Sequence, residues 1–146
     1  MKKSVLWGLA STLVATQALA VGGSDLTERY ALKQRCGEQV ARYFHAQGNN
    51  EGLQEDSSGT NSTKFEAHFN PKSLKCFMSY TYVSNPFRDK KLRGSTTRAL
   101  IEVNENRTYA SLFVFDDGTV MDCVVGDRHC RSASDWEALV IGVFGE

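Results

Sequence analysis

The side chains that could carry out chemistry are few and scattered. Three histidines, His45, His68 and His129, occur in the 146 residues. General acid–base catalysis needs two titratable groups within reach of one substrate atom. His68 follows Glu66 on the same parity of an alternating run, and Glu102 falls on a later strand that can share that sheet face. Nothing in the spacing selects this trio from chance, and a lone strand histidine is ordinarily structural or solvated. The sequence has no nucleophile elbow, no glycine-rich phosphate loop and no metal-binding helix motif. No catalytic residue is therefore assigned. A small secreted hydrolase or nuclease using His68 or His129 is kept as the alternative to a non-catalytic binding protein.

A more specific stretch is Cys123-Val-Val-Gly-Asp-Arg-His-Cys130. Closed by a disulfide, it presents Asp127, Arg128 and His129 in restricted conformations, and restricting a contact loop before it binds lowers the entropic cost of association. The competing account is a bridge that only pins the chain ahead of the last helix, the usual service of disulfides in small exported domains. A second candidate is the basic stretch 84–94, where Arg88, Lys90, Lys91 and Arg93 cluster around Pro86 and Phe87. Such a loop can hold an anionic partner or polysaccharide, although charge blocks of this kind are commonly just solvated. It lacks the aromatic–basic alternation of single-strand nucleic-acid binders. Arg88 thus joins Asp127, Arg128 and His129 as a candidate binding residue.

Residues 1–20 read as a secretory signal: Lys2 and Lys3 start it, an apolar segment follows, and Ala18-Leu19-Ala20 is a small-residue cleavage site. The apolar segment is shorter than the roughly 20 residues that cross a bilayer, and no cysteine follows for a lipid anchor. The expectation is a mature chain from about Val21 with no membrane span, periplasmic or secreted, of bacterial type. Removing the signal takes away two lysines and no acid, so the formal charge of 0 becomes −2. A chain this close to neutral has no global field for nucleic acid or anionic membrane. The expected partner is a protein or envelope component, with no cofactor. About 126 residues remain, the size of one ordinary domain.

All four cysteines, Cys36, Cys76, Cys123 and Cys130, fall in this part. An even count in an exported chain argues for two disulfides. Of the three possible pairings, Cys36–Cys76 and Cys123–Cys130 are preferred, because the last two are close in sequence and Cys36 lies on a helix face that must cover the sheet. Zinc is disfavoured, since His129 is the sole histidine near a cysteine and no short Cys–Cys spacing occurs.

The elements expected are those of an α+β fold: an N-terminal helix, an antiparallel meander of about five strands, and a C-terminal helix. Ser24-Asp25 can cap a first helix that ends near Gly48, with Leu32, Cys36, Val40, Tyr43 and Phe44 as its apolar stripe. Arg29, Lys33, Arg35, Glu38 and Arg42 make its solvated remainder. Residues 48–62 read as a flexible loop, rich in Gly, Asn and Ser. Residues 65–83 form the clearest hairpin, with Asn70-Pro71-Lys72-Ser73 as its turn. Three more strands follow, the run 109–115 apolar on both parities as in a strand covered on both faces. Asp116 and Asp117 belong to a tight turn and lack the further oxygen ligands that calcium needs. Ser134-Asp135-Trp136-Glu137 has the form of a capping box opening the last helix, with Trp136, Leu139, Val140 and Val143 as its apolar face.

Two resemblances follow from these stretches. The order RCGEQVARYF, HFNPKSLKCFMSY, a strand meander, a late cysteine pair and SASDWEALV resembles a family of small exported bacterial proteins of unknown function. That resemblance implies export and disulfides and no particular activity. The cysteine-closed stretch 123–130 is similar in device to periplasmic lysozyme inhibitors, one family of which inserts a cysteine-closed, histidine-bearing loop into the enzyme cleft. The loop length and internal residues differ from that family's motif, so no residue role is carried over.

Overall fold

The computed structural model describes residues 21–87 and 92–144. The export signal read over residues 1–20, and Arg88, Lys90 and Lys91 of the basic stretch, lie outside the described residues. The element order is α1 (Val21–Ala46), β1 (Gly52–Asp56), β2 (Gly59–Asn70), β3 (Lys75–Pro86), β4 (Ser95–Glu102), β5 (Arg107–Phe115), β6 (Val120–Val125), β7 (Arg128–His129) and α2 (Ala133–Phe144). All seven strands form one antiparallel sheet in sequential order from β1 to β7. The α+β class stands, with seven strands in place of about five.

Both additional strands lie where the sequence carries no hydrophobic period. The stretch 48–62 is largely a hairpin: β1 pairs with the start of β2, from Gly52↔Thr63 to Asp56↔Gly59. Every residue of β1 is exposed, so neither of its faces needed apolar side chains. Its turn is held by the Asp56 carboxylate, which accepts from the Ser58 backbone at 2.7 Å and from the Gly59 backbone at 3.2 Å. Gly59 is required by crowding, since a Cβ there would lie 2.3 Å from the Asn85 carbonyl oxygen. The other unforeseen strand, β7, has two residues, too few to show alternation.

The sheet separates two cores, because successive side chains of a strand point to opposite faces. On one face Cys36, Val40 and Phe44 of α1 bury against Cys76 and Met78 of β3, with Phe65, Ala67 and Phe69 of β2 around them. The Cys36–Cys76 disulfide joins helix to sheet there, Cα–Cα 5.4 Å. On the other face Trp136 and Val140 of α2 bury against Phe77, Leu100, Leu112 and Val125. The result is three layers: helix, sheet, helix.

Both helix starts differ from expectation. α1 is already helical at Val21, so Ser24 and Asp25 lie within it; a capping residue does not start a helix when the residues before it continue the turn. Its far end does stop at Gly48, at φ 75°, whose N–H donates to the His45 carbonyl at 3.0 Å. α2 is capped by Ser132, two residues before Ser134: the Asp135 N–H donates to the Ser132 hydroxyl at 3.1 Å. The Cys123–Cys130 bridge and the buried Trp136 hold the chain in this earlier register.

β5 also departs from the reading of a strand covered on both faces. Ala110 and Leu112 are fully buried under α2, whereas Phe113 and Phe115, on the opposite face, are only half-buried. α1 packs chiefly on β2 and β3 and touches the chain beside β5 only at the β4–β5 turn, where Gln39 and Tyr43 donate to Asn104 and Asn106, well away from Phe113 and Phe115.

The stretch 84–94 is shortened from its N-terminal end, because β3 runs on to Pro86, opposite Gly59. The turn between β2 and β3 is an Asx turn, the Asn70 side-chain oxygen accepting from the Lys72 and Ser73 backbones at 2.8 and 3.1 Å. The Asn70 amide donates to the Val143 carbonyl at 2.6 Å. One side chain thus shapes the turn and ties down the end of α2.

Candidate functional site

The Cys123–Cys130 stretch is a closed β-hairpin. Val124 pairs with His129 and Val125 with Arg128, leaving Gly126 and Asp127 as the turn. Gly126 has φ 62°, a conformation that suits glycine, and its N–H donates to the Tyr109 carbonyl at 2.8 Å. The disulfide, Cα–Cα 5.0 Å, closes the base, where the Cys130 N–H donates to the Cys123 carbonyl at 2.9 Å. The hairpin is therefore restrained by a covalent bond, a ladder and a tether to β5.

Its polar side chains are left to solvent. Asp127, Arg128 and His129 are exposed, and among the described residues their side chains make no hydrogen bond or ion pair. Pairing sends Arg128 to the face of Val125 and His129 to that of Val124. Both line a shallow recess of about 640 Å³ along the outer edge of β7, walled by Arg131, Asp135 and Leu139. A rigid turn carrying a cation, an imidazole and a carboxylate with their hydrogen-bonding capacity unspent is suited to contact with a polar surface.

The histidines do not assemble. His68 on β2 and His129 on β7 stand five strand positions apart in the sheet, and His45 is exposed at the end of α1. The His68 ring stacks on Phe144 at 4.1 Å and 17°, and its Nε2 lies 3.7 Å from Glu66.

Glu102 shares that sheet face, but Phe77 stands between it and His68 in the cross-strand row. Its carboxylate is held by Lys75 at 2.8 Å and Arg107 at 3.1 Å. Burial pushes the Glu102 carboxyl up, but the hydrogen bonds and positive charges of Lys75 and Arg107 outweigh it and leave the group below the usual range. Glu102 is thus a fixed anion and a poor proton carrier at neutral pH.

Of the basic stretch, Arg93 is committed within the fold. It pairs with Asp117 at 2.6 Å and lies over the Phe115 ring at 3.8 Å. Asp117 also accepts from the Thr119 backbone at 2.9 Å, which makes it a turn residue. Among the described residues no group of three His, Cys, Asp or Glu could hold a metal ion. All four cysteines are in disulfides.

Sequence reasoning missed a second recess, of about 390 Å³, between α1 and the β2 segment around His68. Arg29 and Lys33 line it, four residues apart and so on one helix face. That spacing is the available signal, but in the sequence it is indistinguishable from a solvated face. Among the described residues no helix is long and apolar enough to cross a membrane. No protein-family model, no curated protein and no solved structure matches this chain.

Proposed function

We propose that this chain is an exported binding protein, disulfide-stabilised and without catalysis of its own, that engages a protein of the bacterial envelope through the closed hairpin 123–130. The observation that carries this reading is the exposure of Asp127, Arg128 and His129, without side-chain partners among the described residues, on a turn fixed by a disulfide. The ordering cost of such a turn is met on folding, before any partner arrives. Two disulfides suit an oxidising compartment. The separation of the three histidines in the fold weighs against a shared acid–base site.

The similarity of device to periplasmic lysozyme inhibitors makes a cell-wall hydrolase the first partner to try. Peptidoglycan hydrolysis by lysozymes of different classes is followed while the oxidised protein is titrated in. Inhibition at near-equimolar ratio is expected, weakened at least tenfold by Arg128→Ala with His129→Ala and by Cys123→Ser with Cys130→Ser. Absence of inhibition throughout rejects the inhibitor form of the proposal. Hydrolysis of RNA, peptidoglycan or an ester by the protein alone, abolished by His68→Ala or His129→Ala, replaces it with the hydrolase reading.

A further inference from the structure

A second recess lies at the other side of the sheet, on the outer edge of β2. β1 pairs with β2 only as far as Thr63, whereas β2 continues along β3 to Asn70. Among the described residues, 64–70 thus have no strand on their outer side. Proteins blunt such an edge with charged side chains, a covering helix, a proline or a bulge, and here Lys64 and Glu66 are the charges and α1 packs on one face only. This segment contains no proline, and its register with β3 runs without a shift.

The recess of about 390 Å³ is built on this edge. Ala67, His68 and Phe69 all line it. Ala67 and Phe69 belong to the core under α1, while His68 points the other way and stacks on Phe144 of α2. Consecutive residues aimed at opposite faces line a single cavity only around the margin of their strand. Residues 26–33 of α1 form one wall and Phe144 the other.

The walls have a definite chemistry. Arg29 and Lys33 line the α1 side together with the exposed Leu26 and Tyr30. Among the described residues neither cation makes an ion pair. The opposite wall is aromatic. A strand laid along the edge would alternate its side chains between these two walls.

We infer that the outer edge of β2 takes up an extended acidic peptide segment as an added strand. Carboxylates on alternate residues face Arg29 and Lys33, and the intervening apolar residues face Phe144. Main-chain hydrogen bonds to the edge supply affinity, and the alternation supplies specificity. The inference is independent of the hairpin 123–130.

The test is an amide NMR titration of the oxidised protein with the capped pentapeptide Glu-Val-Glu-Val-Glu. Shifts concentrated at residues 66–69 and 26–33 are expected. Affinity should fall at least tenfold for Arg29→Glu with Lys33→Glu, and for the Lys-Val-Lys-Val-Lys peptide. Two further peptides, N-methylated on one or the other set of alternate residues, keep the charge; only one of these sets of donors faces the edge, so one of the two peptides must lose at least tenfold. Equal binding of both methylated peptides would reduce the contact to charge attraction and overturn the added strand. No shifts at millimolar peptide would overturn it too, as would binding of dodecanoate at these amides without binding of the peptide. Peptide binding should survive Cys123→Ser with Cys130→Ser; its loss there would refute the independence from the hairpin.

Discussion

The Lys75 ammonium lies 2.8 Å from the Glu102 carboxylate, a side chain only 2% exposed. With Arg107 it outweighs the effect of burial and holds the folded-state pKa of Glu102 below the ordinary 4.5. A group with a depressed folded pKa contributes stability that is complete above its unfolded pKa and is lost as pH falls through the folded value. Thermal denaturation followed by circular dichroism should therefore show stability declining below pH 4.5. Glu102→Gln should flatten that decline.

The same cluster predicts an order of mutational cost. Lys75→Ala leaves a buried carboxylate with Arg107 alone and should cost about 2–3 kcal/mol, whereas Glu102→Gln leaves two partly exposed cations that water can solvate and should cost about 1 kcal/mol. Urea denaturation at neutral pH measures both. A larger cost for Glu102→Gln would show that the charge is not the costly component.

The two disulfides should differ in worth. Cys36 and Cys76 are 40 residues apart and Cys123 and Cys130 are 7 apart. The chain-entropy model gives about 4 kcal/mol for the longer loop and about 2.5 kcal/mol for the shorter. Paired serine variants compared by denaturation should show the first bridge to be the more stabilising, with α1 losing its attachment.

At the start of α2, Ser132→Ala should cost about 1 kcal/mol by removing the acceptor for the Asp135 N–H. Ser134→Ala, within the helix, should be near neutral. The reverse order would place the cap where the Ser-x-x-Glu pattern had it.

What could be read from the sequence was set by burial. The β2–β3 hairpin was legible because Phe77 and Met78 serve different cores and so enforce alternation. The pairing of Cys36 was legible because it sits in the stripe with Val40 and Phe44, which can face only the sheet. β1 was not, since with both faces in water its residues satisfy only a backbone ladder. Phe113 and Phe115 misled for a different reason: an apolar face does not reveal how far a helix on the same side of the sheet reaches. Ser132 and Ser134 each have an acid three residues on, and the choice between them depends on a disulfide and a buried tryptophan.

The recess at the β2 edge was illegible in a further sense. Neither Arg29 nor His68 is unusual where it stands in the sequence. Only the early end of β1 brings the strand margin between them and α2 into the open.

Because every strand pairs with its immediate predecessor and successor, the sheet can grow in the order in which the chain is made. Each hairpin closes a short loop, the kind of local contact that speeds folding. The helices are the exceptions. α1 precedes the sheet in the chain, yet Cys36 must wait 40 residues for Cys76, so this helix has to stay unpaired and reduced until the third strand arrives. An oxidant acting too early has no correct partner to offer it, which makes the timing of oxidation, more than the order of the strands, the step at which this chain can go wrong.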